Sequence, residues 1–350
     1  MIKSVAILTR PDNKSPRVLA QSFKSMCEEN SVKADIFYQG SGFLGRLLSV
    51  FQKRYFPKRL HFIVRQKLFN FFNDQLLIIK LKKYDLIVLS ECIPNAYWKG
   101  YYDIEKLKKK IKKPIALYEV YYLGNSITHT NYLQLQNHHG VERFDWNFSV
   151  SDIAEIRSLP SPSLRWSSIG LHLANCGLRP TTKNELIAII DFAQIGFEEY
   201  RKEQIRILES FPQIKLIYLE GQYTFEQIRD LYQQASLIFI QFPEAYGVSI
   251  AECLSAGCKV VVKEEEWAMS WRLVNESNDE FLPDCFFVYD NSQLLHAYLK
   301  DYIANFIPEK NAFDVHDSFM QHYPHFYYGN KSQLLDSFKH IENYKFYDQE

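Results

Sequence analysis

The chain has 350 residues, 47% of them hydrophobic, and its 41 lysines and arginines are balanced by 41 aspartates and glutamates. That length exceeds one ordinary core and suits two domains, and the apolar content excludes a disordered chain. A formal net charge of zero gives no global electrostatic argument for nucleic acid as a partner.

In chain order, "KSVAILTR" reads as a first strand whose apolar run is too short for a signal peptide. The spacing of "PRVLAQSFKSMCEEN" predicts a helix, and "KADIFYQG", "YDLIVLSE" and "KPIALYEVYY" predict strands, with a helix "IEKLKKKI" between the last two. "DWNFSVSD" and "RWSSIGLHL" complete the first half. Proline, serine and glycine then concentrate between Ser158 and Asn184, which places a boundary just after Leu173. Beyond it the pattern restarts. "NELIAIIDF", "KLIYLEG", "SLIFIQF" and "CKVVVKE" read as strands, separated by helices at "EEYRKEQIRILESF", "FEQIRDLYQQ" and "VSIAECLSA", the last stopped by Gly257. "SQLLHAYLKDYIANF" and the terminal "KSQLLDSFKHIENY" read as further helices. Apolar strands alternating with helices predict α/β architecture: two open parallel-sheet domains, with ligands bound in a cleft at the carboxyl ends of their strands. The expected division is 1–173, 174–320, and a C-terminal helical segment, 321–350, packing back toward the first domain.

No segment approaches the ~18 to 20 apolar residues that span a bilayer. The six cysteines (27, 92, 176, 253, 258 and 285) form no Cys-x-x-Cys pair and no zinc set, so they read as free thiols in a reducing compartment. A cytoplasmic protein is expected.

"GSGFLG", Gly40 to Gly45, matches the dinucleotide fingerprint and follows a strand, but it is the second strand. The acid expected about 20 positions later for a ribose is absent from "HFIVRQKLFNFF". A turn into an amphipathic segment is the preferred reading, and an NADP-dependent oxidoreductase stays as a rival. There is no phosphate-loop signature, no H-E-x-x-H, no G-x-S-x-G and no Asp-x-Asp pair of the kind that holds diphosphate through a divalent metal.

The informative stretch is "QFPEAYGVSIAECLSAGCKVVV", residues 241 to 262, which sets Glu244 and Glu252 with seven residues between them among apolar and small neighbours. Pro243 ends a strand, and Glu244 falls in the strand-to-helix loop. Gly247 allows close backbone approach or a positive φ, and a helix opens near Val248. The amides around Tyr246 to Ser249 then form an anion cradle, and Glu252 reaches back toward the same mouth. A helix start for phosphate and carboxylates for vicinal hydroxyls together fit a nucleotide sugar. The plainer alternative makes Glu252 a salt-bridged helix residue and Glu244 an ordinary loop acid.

Glu244-AYGVSIA-Glu252 followed by "CLSAGCKVV" resembles the Glu-x7-Glu signature of retaining GT-B glycosyltransferases of the family 4-like group. "LIYLEGQYTFEQIRDLYQQASLIFIQFPE" resembles the same group's approach to that signature, and the likeness covers about residues 186 to 262. It implies two Rossmann-like domains facing each other across a cleft, the first on the acceptor side and the second binding the donor. It implies a retaining, metal-independent hexosyltransferase-type enzyme, needing no cofactor beyond its nucleotide-sugar donor, with UDP and GDP both left open. Carried over by position, Glu244 would bond donor-sugar hydroxyls and act in catalysis, and Glu252 would bond the ribose. The backbone of Tyr246, Gly247 and Val248 would lie near sugar and phosphate.

The group's diphosphate cations are an Arg and a Lys at the first strand-to-helix junction of the second domain. Here that junction reads "IDFAQIGFEEYRKEQ", so Arg201 and Lys202 are the candidates, and Arg201 is preferred because its fork matches phosphate oxygens. A solvated helix face explains the same run. Other departures concern the acceptor side and the fine donor geometry. "TRPDNKSP" replaces a glycine pair, Glu119 and His129 are the nearest matches to an N-domain histidine, and "EEEWAMSW" offers Trp267 or Trp271, by stacking or as core. A binding protein without turnover is therefore a second rival.

From Arg46 to Lys83 the chain holds ten lysines and arginines against one acid, Asp74, interleaved with Phe, Leu and Ile. That composition suits a membrane surface, or equally a helix pair packed on the sheet with solvated cations. The expectation is a peripheral protein on the inner face of the membrane, acting on a glycan or lipid-linked acceptor in surface polysaccharide synthesis, with no nucleic-acid partner.

Overall fold

The computed structural model describes residues 2–9, 14–38, 77–90, 104–121, 144–151, 165–241, 247–264 and 282–343. The chain forms two compact units, one of residues 1–150, 158–169 and 330–350 and the other of residues 151–157 and 170–329.

The first unit is built from β1 (Ser4–Thr9), α1 (Lys14–Glu29), β2 (Lys33–Tyr38), β3 (Leu86–Ser90), α2 (Ile104–Ile111), β4 (Ile115–Tyr121), β5 (Trp146–Ser151) and β6 (Trp166–Ser168). These strands form one six-stranded sheet in the order β2-β1-β3-β4-β5-β6. β1 runs parallel to β2 and β3, β3 to β4, and β5 to β6. Every residue of β3 and β5 is buried, as expected where both faces of a parallel sheet are covered. α1 covers one face through Val18, Leu19, Phe23 and Met26, with Phe23 5.3 Å from both Tyr118 and Phe148. Leu107 and Ile111 of α2 join the other face with Ile87, Leu89, Ile115 and Leu117.

The amino ends of these strands are tied by polar contacts. Asp85, just before β3, accepts from the amides of Lys3 and Ser4 at 2.9 and 3.0 Å. Asp145, just before β5, accepts from the Ile115 amide at 2.8 Å and pairs with Lys108 of α2 at 2.9 Å. Arg165 Nε donates to the Asp145 carbonyl at 2.7 Å.

The second unit holds β7 (Ile187–Ile190), α3 (Glu198–Leu208), β8 (Lys215–Tyr218), α4 (Phe225–Gln234), β9 (Leu237–Phe239), α5 (Val248–Ser255), β10 (Lys259–Lys263), β11 (Phe286–Tyr289), α6 (Ser292–Ala304), α7 (Asn311–His322) and α8 (Pro324–Tyr327). Its five strands run in the order β11-β10-β9-β7-β8, every ladder parallel. Read from β8, this repeats the order of the first sheet, and it places a topological switch point between β7 and β9. Gly257 stops α5 at φ +73°, where an added Cβ would run into the Ala312 carbonyl, so the sequence's helix stop is also a packing requirement. β11, α7 and α8 were not singled out by periodicity.

The terminal helix, α9 (Lys331–Asn343), belongs to the first unit. Ser337 Oγ lies 2.7 Å from Ser167 Oγ, and Phe338 meets Phe148 edge-on at 6.5 Å. Among the described residues no helix is long and apolar enough to cross a membrane.

Candidate functional site

The switch point of the second sheet separates the chain leaving β7 from the chain leaving β9, which opens a crevice at the strands' carboxyl ends. The β7 exit begins at Asp191 and runs into α3. The β9 exit runs through Gln241 and, beyond the residues that include Glu244 and Tyr246, into α5. Those two candidates lie outside the described residues, as do "GSGFLG", His129, Trp267, Trp271 and all of the basic stretch before residue 77.

α5 begins at Val248 after Gly247, as its sequence predicts. Gly247 sits in extended backbone at φ −133° and ψ 135°, so it is not there for a positive φ, which corrects one of the two reasons offered for it. The first bond within the helix runs from the Ala251 amide to the Gly247 carbonyl. The amides of Val248, Ser249 and Ile250 are therefore not consumed by α5, and they stand at its positive end.

Glu252 is 5% exposed and lies just over one turn into α5. Its Oε1 stands 3.0 Å from Arg229 Nε on α4, which packs beside α5. The register of α4 is set by a capping box. Thr224 Oγ1 accepts from the Gln227 amide at 3.1 Å, and Gln227 Oε1 accepts from the Thr224 amide at 2.8 Å. Ile228 and Tyr232 then face the core, and Arg229 faces α5. Its guanidinium lies 5.0 Å above the Phe225 ring and donates to the Cys176 carbonyl. At the other end of the helix pair, buried Lys183 donates to the carbonyls of Gln233 and, at 3.1 Å, Ala256. The ion pair is thus held inside a locked two-helix frame. Cys253 is fully buried beside Glu252, and burial pushes its thiol well above the ordinary range, so it is no nucleophile.

Arg201 and Lys202 part company on α3. Lys202 is exposed and bound to Glu199 at 2.6 Å on the solvent face. Arg201 keeps only 14% of its side chain exposed. Its Nη1 reaches Glu220, at the β8 exit, at 3.7 Å, and its guanidinium lies 5.9 Å from the Tyr218 ring. Its Nε and Nη2 are buried and make no hydrogen bond. One turn further along α3, Gln204 Nε2 donates to the Ile240 carbonyl at 3.2 Å and to Tyr289 Oη at 2.8 Å, and Gln204 Oε1 accepts from Gln241. α3 is therefore clamped over the end of β9 through Gln204, with Arg201 one turn nearer the start of α3 and beside the β8 exit.

Asp191 is a residue that sequence reasoning missed. Burial pushes its carboxyl up to about 6, offset in part by the Phe192 amide at 2.8 Å and by the Arg201 guanidinium. Its position at a strand's carboxyl end was the available signal, but its desolvation is tertiary. Glu119 in β4 of the first unit is fully buried. Among the described residues no group of His, Cys, Asp and Glu side chains is arranged to hold a metal ion.

Two parallel sheets of this order in one chain make the GT-B fold, and solved structures of that fold match over nearly the whole length. A UDP-N-acetylglucosamine 2-epimerase from Listeria monocytogenes aligns over 99% of this chain and 98% of its own, at TM-score 0.53 and 12% identity. The S. aureus MnaA–UDP complex aligns over 98% and 97%, at TM-score 0.53 and 14% identity. A glycosyltransferase from Rickettsia africae aligns over 98% and 99%, at TM-score 0.50 and 12% identity. No protein-family model matches the sequence, and no curated protein matches it.

Proposed function

We propose that the second unit binds a nucleotide-diphosphate sugar and that the enzyme transfers the sugar to an acceptor hydroxyl. The observation that carries this reading is Arg201: a guanidinium with two buried, unsatisfied donors beside the β8 exit, in a sheet whose switch point is followed by a helix start with spare amides. Unsatisfied buried donors of this kind call for an anionic ligand, and a diphosphate supplies the acceptors for both arms. A neighbour of the same fold binds UDP, and the Glu-x7-Glu likeness assigns Glu244 to the sugar and Glu252 to the ribose.

In the reaction proposed, the acceptor oxygen attacks the anomeric carbon from the face the diphosphate leaves. The carbon–diphosphate oxygen bond breaks, the acceptor's proton passes to a diphosphate oxygen, and configuration is retained. Arg201 and the α5 start stabilise the leaving charge, so the protein contributes positioning and electrostatics rather than a strong base or a metal. The acceptor is a glycan or a lipid-linked saccharide, met at a membrane surface through residues 46–83.

Two of the similar structures carry the name UDP-N-acetylglucosamine 2-epimerase, which favours a second reading: rearrangement of the nucleotide sugar itself. Incubating the full chain with UDP- and GDP-sugars, with and without membrane lipid extract, and following products by mass spectrometry after a chromatography that resolves epimers separates these outcomes. A sugar-bearing lipid or glycan supports transfer. Release of an epimerised sugar without acceptor supports the second reading, and binding without any product supports a non-catalytic binder.

A further inference from the structure

We infer that Arg229 is a positioning residue for the donor site, holding Glu252 as an oriented, charge-compensated acceptor for the nucleotide's ribose hydroxyls. The inference rests on the nucleotide-sugar reading and adds a residue from a neighbouring helix that the Glu-x7-Glu pattern does not contain.

The geometry is that of a support built behind a ligand group. Arg229 and Glu252 lie on adjacent helices, 3.0 Å apart, with 16% and 6% of their side chains exposed. The arginine donates to the Cys176 carbonyl, lies over the face of Phe225, and meets Glu252 at ion-pair distance without hydrogen-bond geometry. A buried pair of this kind adds little stability over an apolar contact of the same size, because both charges lose water. Its value is orientation and charge. A carboxylate that accepts hydroxyl hydrogen bonds must be ionised and rigid, and burial alone would favour its neutral form. The same carboxylate beside a diphosphate would repel it. A fixed guanidinium answers both demands, in the way that outer-shell partners orient ligand groups elsewhere.

The test is calorimetric, on the full chain, with whichever of UDP and GDP the wild type binds, each paired with its 2′,3′-dideoxy form. The wild type should prefer the ribose form by about tenfold or more, the worth of hydrogen bonds to a charged acceptor. Arg229→Met should shrink that preference to about threefold or less while leaving affinity for the dideoxy form within about threefold of wild type. Glu252→Gln should do the same, and the double variant should be no worse than either single one. Arg229→Lys should restore part of the preference. If Arg229→Met does not fold, Phe225→Leu, which removes the platform under the guanidinium, should reduce the preference instead. Retained preference in a folded Arg229→Met overturns the inference. So does equal weakening of both forms, which marks a phosphate contact or a structural role. A wild type that binds both forms equally also overturns it and leaves nucleotide binding standing. If the wild type binds neither UDP nor GDP, the nucleotide reading itself falls, and this inference with it.

Discussion

The two sheets share a strand order; the first is tied by charges at its amino ends, and the second, besides an amino-end pair of Lys215 and Glu185, carries further charges at its carboxyl ends. In the first unit Asp85, Asp145, Lys108 and Arg165 stand at the amino ends of the strands and satisfy one another or backbone groups. In the second, Asp191, Arg201, Glu220, Arg229 and Glu252 stand at or beside the carboxyl ends, and Arg201 keeps two buried donors without hydrogen bonds. The carboxyl-end loops of the first sheet fall largely outside the described residues, so the contrast is between a finished amino end and an unfinished carboxyl end. Satisfied polar groups hold a fold, whereas unsatisfied ones cost stability and are kept where a ligand completes them.

Four substitutions test that division. The largest effect is expected at Asp145→Ala, which strips the half-buried Lys108 ammonium and the Ile115 amide of their partner. Unfolding free energy should fall by about 3 kcal/mol in denaturant titration, with nucleotide affinity of the folded fraction unchanged. Glu244→Ala should cut donor turnover by about a hundredfold or more at unchanged melting temperature, the scale of a lost transition-state contact. Arg201→Met should weaken diphosphate binding by about thirtyfold in calorimetry while leaving stability level or raised. A stability loss there would place Arg201 among the structural charges instead.

The smallest effect is expected at Asp191. Its folded-state carboxyl titrates at about 6, above its ordinary value, so the folded state holds the proton more tightly than the unfolded one. The resulting stabilisation is present at low pH and is lost as pH rises through about 6. Asp191→Asn should therefore gain on the order of 1 kcal/mol over wild type at pH 8 and little at pH 4, as followed by denaturant unfolding.

What the sequence discloses follows from range. β7, β9, β10 and the start and stop of α5 were legible because apolar runs and Gly257 act locally. β11 was not, since "FFVY" is too short to declare a period on its own. Arg201 and Lys202 are neighbours with equal formal charge, and only the packing of α3, which turns Arg201 toward Tyr218 and Glu220 at the β8 exit, separates the more buried one from the solvated one. The Arg229–Glu252 pair was legible as a kind of contact but not as a partner, because it joins two helices through tertiary packing. Asp191 looks ordinary in the sequence, and its shift arises from desolvation by the folded unit. Local chemistry announced the Glu-x7-Glu stretch, while the charged groups packed around it required the fold.

The central claim, that the carboxyl end of the second sheet is a nucleoside-diphosphate site, is tested most directly by thermal shift of the full chain with UDP, GDP and NADP. Saturating UDP or GDP should raise the melting temperature by about 3 °C or more, and Arg201→Met should abolish most of that rise. No shift with either nucleotide, or a shift with NADP alone, would contradict the account.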